Sequence, residues 1–99
     1  PGFACAGARA AELAGVALDA IPHVDLYSCF PIAVRTQLLE LGLDPAGPVS
    51  VTGGMTFGGG PFGNFVVQST VRMMEVLREH PGEPGLVTAI SGMITIRPR

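Results

Sequence analysis

Gly58-Gly59-Gly60-Pro61-Phe62-Gly63 spells G-x-G-x-x-G, a string that can fold a backbone turn around a pyrophosphate. It lies within Thr52 to Phe65, fourteen residues of which six are glycine, leading into a helical pattern. A dinucleotide turn needs its strand to run straight into the glycines, and an acid to close the next strand about twenty residues on. Neither condition holds. Gly53-Gly54-Met55-Thr56-Phe57 intervenes after the β-branched "VSVT", while Glu79 and Glu83 fall at a helix end and in a turn. No G-K-[ST] follows, which excludes a P-loop. What remains is a set of backbone N–H groups ahead of a helix, suited to a polarised oxygen. The competing reading is a loop whose glycines only permit close packing.

Other residues with chemical potential are few. Cys29 falls near a strand end, where α/β folds display functional groups, although an isolated apolar cysteine usually packs as core. Tyr27 and Ser28, just ahead of it, can donate hydrogen bonds into a pocket, and a buried Tyr27 ring is the alternative. Asp25 alternates with Val24 and Leu26 and is therefore expected to face solvent. His23 and His80 stand at element ends and are expected to be solvated caps. Two cysteines and two histidines at these scattered positions form no metal-ligand pattern, so no metal is expected.

The elements that must position these residues alternate in type. Gly7 to Gly15 is Ala-rich with a glycine stop, a helix. His23 to Phe30, between Pro22 and Pro31, reads as a strand. Pro31 suits the first turn of a helix that gathers Val34, Leu38 and Leu41 on one face, leaves Arg35, Gln37 and Glu40 for solvent, and closes at Gly42. A turn and a short strand, Val49 to Gly54, follow.

Asn64 or Gly63 can then cap a helix from Phe65 to His80. Its polar residues Gln68, Arg72, Glu75 and Glu79 make one narrow stripe, so this helix is expected to be buried on two sides. Leu86 to Ser91 reads as an apolar strand and Met93 to Pro98 as an edge strand. The order is α-β-α-β-α-β-β, an α/β fold with a largely parallel core. Ser91-Gly92 is too short for a crossover, which makes the final pair antiparallel and the sheet mixed.

At 99 residues the chain supports a single small domain. Apolar residues make up 47% and charged ones only 14%, which excludes disorder and suggests that part of the surface is covered by something outside the chain. A net charge of −2 without a basic cluster argues against nucleic acid as partner. No apolar run reaches membrane-span length, and two unpatterned cysteines fit a reducing cytoplasm.

Tyr27-Ser28-Cys29-Phe30 and Gly53 to Pro61, in this order and spacing, resemble the thiolase superfamily. The likeness is to the C-terminal half of thiolase-like proteins near the lipid-transfer-protein thiolases, and it covers essentially all of residues 1–99. It implies one partial domain that pairs with an N-terminal half carrying the nucleophilic cysteine, in a full-length homodimer. It also implies acyl-CoA chemistry of the acetyl-CoA acetyltransferase family in lipid metabolism, with a CoA thioester as ligand and no further cofactor.

Under the same resemblance, Tyr27 stands where a residue of the family helps hold a thioester oxygen. Gly60 replaces the histidine of the Gly-His-Pro loop, which activates the nucleophile. Substrate contacts are expected from Tyr27, Cys29, Phe30, Phe57, Gly58, Gly59, Gly60 and Pro61. The family's acid/base cysteine has no counterpart around Ile90-Ser91-Gly92. Loss of a positioned base costs about 10²–10⁴ in rate. The chain alone is therefore expected to be inactive and to bind a CoA thioester. The alternatives are retro-aldol cleavage of a CoA thioester using Tyr27, or a non-catalytic assembly half.

Overall fold

A computed structural model describes residues 2–61 and 63–90. Helix α1 (Gly2–Ala14) is followed by a 3-10 turn (Leu18–Ala20), strand β1 (His23–Asp25), helix α2 (Pro31–Leu41), a single-turn helix α3 (Met55–Gly58), helix α4 (Phe65–Glu79) and strand β2 (Gly85–Val87). The two strands pair in parallel, with His23 opposite Gly85, Val24 opposite Leu86 and Asp25 opposite Val87. Parallel pairing is what a crossover through intervening helices demands. Among the described residues the sheet is therefore all parallel, and no antiparallel final pair belongs to it. The edge strand expected at 93–98 lies outside the described residues.

Local signals set the helix ends. Pro31 opens α2, where its missing N–H leaves no hydrogen bond unmade. Gly42 closes it in the left-handed conformation (φ 66°), with Leu43 N donating to Leu38 O at 3.0 Å and Gly42 N to Leu39 O at 3.3 Å. This is the Schellman pattern, which satisfies carbonyls the helix end would otherwise leave open. Helix α1 begins earlier than the sequence suggests, at Gly2, because α2 supplies its cap: the Glu40 carboxylate accepts from Phe3 N at 3.0 Å and Ala4 N at 3.3 Å. Negative charge at a helix N-terminus is favourable there.

Period-2 alternation through β1 sorts its side chains onto two faces. Val24 and Leu26 join Ile21, Leu38 and Leu41 in the core, with Phe3, Val34 and Leu86 packed around them. On the other face His23 meets His80, and the Tyr27 ring stands edge-on to Phe65 at a centroid distance of 6.0 Å. Helix α4 thus spans the face with its N-terminus over the end of β1 and its C-terminus over the start. Only Phe65, Ser69 and Met73 of α4 are fully buried, while Val67, Val71 and Met74 are 56%, 52% and 48% exposed. Among the described residues the helix is therefore covered on one side, not two.

Four sequence expectations fail for physical reasons. Gln37 is wholly buried instead of solvent-facing. Its Nε2 donates to Tyr27 O at 2.8 Å and Ala33 O at 3.0 Å, and its Oε1 accepts from the Thr88 hydroxyl, so every polar atom is used. Asp25 is 1% exposed, with Oδ2 accepting from Val51 N at 3.3 Å and Thr52 N at 3.2 Å. That carboxylate takes the amides a strand at 49–54 would offer to a ladder. The segment runs beside β1 with a single backbone bond to it, Leu26 N to Val49 O at 2.9 Å, and is not a strand. Strand β1 itself stops at Asp25, because Tyr27 N donates to the Thr88 hydroxyl at 2.9 Å in place of a carbonyl.

Replacing Asp25 with Ala removes both loop anchors from a buried site and is expected to destabilise the fold by about 1–3 kcal/mol. Asp25→Asn retains a carbonyl acceptor and should cost less. Urea denaturation with unchanged m-values would check the order.

Candidate functional site

The glycine-rich segment is assembled from neighbouring hydroxyls and from two surrounding elements. Ser50 Oγ accepts from Thr52 N at 3.2 Å and Gly54 N at 2.9 Å, and Thr52 Oγ1 accepts from Gly54 N at 3.1 Å. From the loop after β1, Ser28 Oγ accepts from Met55 N at 2.9 Å and so caps α3. From α4, Gln68 Nε2 donates to Gly58 O at 2.9 Å and Arg72 Nε to Val51 O at 3.4 Å. Gln68 and Arg72 therefore serve the loop's carbonyls, a use that their place in the polar stripe did not disclose. The short helix α3 was also not visible in the sequence, because its four residues carry no periodicity.

Gly53 and Gly54 are the tight points of the segment, and Gly54 is the buried one. It is buried at φ 76°, and a Cβ built there would lie 3.1 Å from Ser28 Oγ. A side chain would meet both a disfavoured backbone and the hydroxyl that caps α3. Gly60 is different. Its φ lies outside the left-handed region, and an added Cβ would meet only Met55 Sδ, at an ordinary 3.7 Å. The backbone does not require glycine there.

The first loop and the glycine segment enclose an open cleft of about 460 Å³, lined by Ser28, Cys29, Val34, Gly53, Gly54 and Met55 among others. Cys29 is a free, half-buried thiol on its wall. Tyr27 is not on that wall: it is half-buried, its ring against Phe65 and its backbone held on both sides by Thr88 and Gln37. Gly58 shares Phe65 as neighbour, its Cβ position lying 3.5 Å from Phe65 Cε2. Phe30, Phe57, Gly59, Gly60 and Pro61 are all exposed, with Phe30 at 68% and Phe57 at 84%. The structure thus brings Cys29 to the glycine loop and Tyr27 beside it, and leaves two expected aromatic contacts in solvent. Of the third loop, Ser91 and Gly92 lie outside the described residues.

At the other end of β1 the histidines behave unexpectedly. His23 is mostly buried, and its Nε2 is 2.6 Å from Glu83 Oε2, while His80 Nδ1 lies 3.6 Å from the same oxygen. The two imidazoles approach to 4.8 Å between centroids. His23 is therefore not a solvated cap, whereas His80 is an exposed cap of α4 that also faces His23 and Glu83. Spacing could not reveal this, because the strand register, not the local sequence, brings His23 to the turn.

No helix among the described residues is long and apolar enough to cross a membrane. No family model matches the sequence, and no match is found among curated proteins. Among solved structures, the chain is similar to a monomeric SCP2-thiolase-like protein type 1 from Mycobacterium smegmatis. The TM-score is 0.73 and the identity 37%, over 85% of this chain and 19% of that chain. The chain accordingly spans about a fifth of the length of that protein. At this level of agreement in backbone and sequence, the chain has a thiolase-like fold.

Proposed function

We propose that this chain is the C-terminal half-domain of a thiolase-like protein and helps bind a CoA thioester without supplying the usual catalytic side chains. The observation that carries the reading is the contrast between Gly54 and Gly60. The loop's shape is held by Ser28, Asp25, Gln68 and Arg72, and Gly54 is locked into it. At Gly60 a side chain is sterically admissible and absent. In the proposed correspondence, Gly60 occupies the place of the family's histidine base, so the scaffold for a polarised thioester oxygen remains while the proton acceptor is gone.

The exposed apolar row Val67, Val71 and Met74 on α4 supports the companion reading, that an N-terminal half covers this helix. A second reading rests on Tyr27. Its backbone is fixed by Thr88 and Gln37 at the C-terminal end of β1, where open α/β sheets place their ligands. There a phenol can act as a proton donor in a carbon–carbon cleavage of a CoA thioester.

Calorimetric titration of the full-length protein with acetyl-CoA and longer acyl-CoAs is expected to give saturable heat. Gly60→His should fold with a stability change within about 0.5 kcal/mol and keep binding, as expected for an exposed site free of clashes. Gly54→Val should lose binding, with a cost of about 1–3 kcal/mol from strain and crowding. Absence of heat and of any thermal shift would overturn thioester binding. Where lyase activity is measurable, Tyr27→Phe should lower kcat by about 10²-fold or more. An unchanged rate removes Tyr27 from the chemistry.

A further inference from the structure

The two histidines of the chain stand 57 residues apart in sequence and meet at one point of the fold, together with Glu83. Two independent constraints produce this meeting. His80 caps α4, and Glu83 N donates back to His80 O at 3.2 Å across a turn whose central residues are Pro81 and Gly82. Gly82 has φ 85°, the value a type II turn needs at its third position, and proline suits the second. The turn therefore presents His80 and Glu83 together. The parallel register then sets His23 beside Gly85, two residues past Glu83.

One potential ligand atom from each of His23, His80 and Glu83 lies within 4.8 Å of the others. We propose that these three residues form a binding site for a zinc ion, with water completing a tetrahedron. Two imidazoles and a carboxylate are a donor set suited to zinc, whereas magnesium and calcium select all-oxygen sites. With metal–ligand bonds near 2.1 Å, neighbouring donors of a tetrahedral site stand about 3.4 Å apart. His80 Nδ1 and Glu83 Oε2, at 3.6 Å, already match that spacing. His23 Nε2 and the same oxygen, at 2.6 Å, must separate by about 0.8 Å for such a tetrahedron. The Glu83 side chain is 46% exposed and has room to turn.

The site lies at the start of β1, whereas the glycine-loop cleft adjoins the residues after its end. Four residues of extended chain, roughly 13 Å, separate His23 from Tyr27. The ion would tie the α4–β2 turn to β1 and so act on stability, independently of the thioester reading.

The test is titration of the chelator-treated protein with Co(II) as spectroscopic probe and Zn(II) as competitor, with thermal denaturation alongside. One four-coordinate Co(II) per chain is expected, with visible ligand-field bands and no thiolate charge-transfer band of the kind Cys5 or Cys29 would add. Zn(II) should displace it and raise Tm. His80→Gln and Glu83→Gln, both at exposed positions, should keep the fold and weaken Zn(II) at least about tenfold. Binding should also weaken as pH falls, because protons compete for the imidazoles. Equal Zn(II) affinity in the wild type and the His80→Gln/Glu83→Gln double variant, a thiolate band in place of the expected spectrum, or no binding at all, would overturn the proposal.

Discussion

The buried carboxylate of Asp25 is the contact on which the arrangement around the glycine loop depends. A carboxylate removed from water is costly unless hydrogen-bond donors replace the solvent. Asp25 finds two of them in the amides of Val51 and Thr52, while its Oδ1 is buried without a partner among the described residues. The loop must stay close to β1 to keep those bonds, since withdrawing it would strand the carboxylate. That fixes where the chain turns toward Gly53-Gly54, where Ser28 can reach Met55, and hence where α3 sits. A sheet of two three-residue strands has little backbone pairing of its own. Side-chain bonds from Asp25, Gln37 and Thr88 extend the order beyond the ladder.

One strand face then organises two chemically different regions. His23, Asp25 and Tyr27 share it because successive side chains alternate. Helix α4 runs over it from Phe65, beside Tyr27, to His80, beside His23. The end of β1 therefore receives the glycine loop and an aromatic pair, and its start receives two imidazoles and a carboxylate. Neither region borrows a side chain from the other, so each can be altered separately.

How much of this was legible in the sequence follows the range of the forces involved. The C-terminal end of α1 and both ends of α2 were readable from Gly15, Pro31 and Gly42, because caps and proline geometry act within a few residues. The thiolase-like character was readable from the order and spacing of two loops. Asp25 was misread because alternation with Val24 and Leu26 says only that it faces away from their core. The second covering layer came from a loop 26 residues further on. Gln37 failed likewise, its partners being Tyr27 and Thr88, and the convergence of His23, His80 and Glu83 depends on register. Helix α4 reads as apolar around most of its girth, yet the described residues cover only one side of it. That discrepancy is itself informative: the composition is suited to a surface larger than these residues bury.

The glycines of the loop separate into those the backbone demands and two it does not, Gly58 and Gly60. Gly53, Gly54 and Gly59 all lie at positive φ, between 76° and 84°, where an L-residue is strained. Selection for loop shape alone accounts for them. It does not account for Gly60, which has an ordinary backbone and an open Cβ direction. A loop that needed only to fold could carry alanine or a longer residue at that point and gain stability, because glycine has more unfolded-state freedom to lose. What residue 60 carries is therefore set by something other than the shape of the loop.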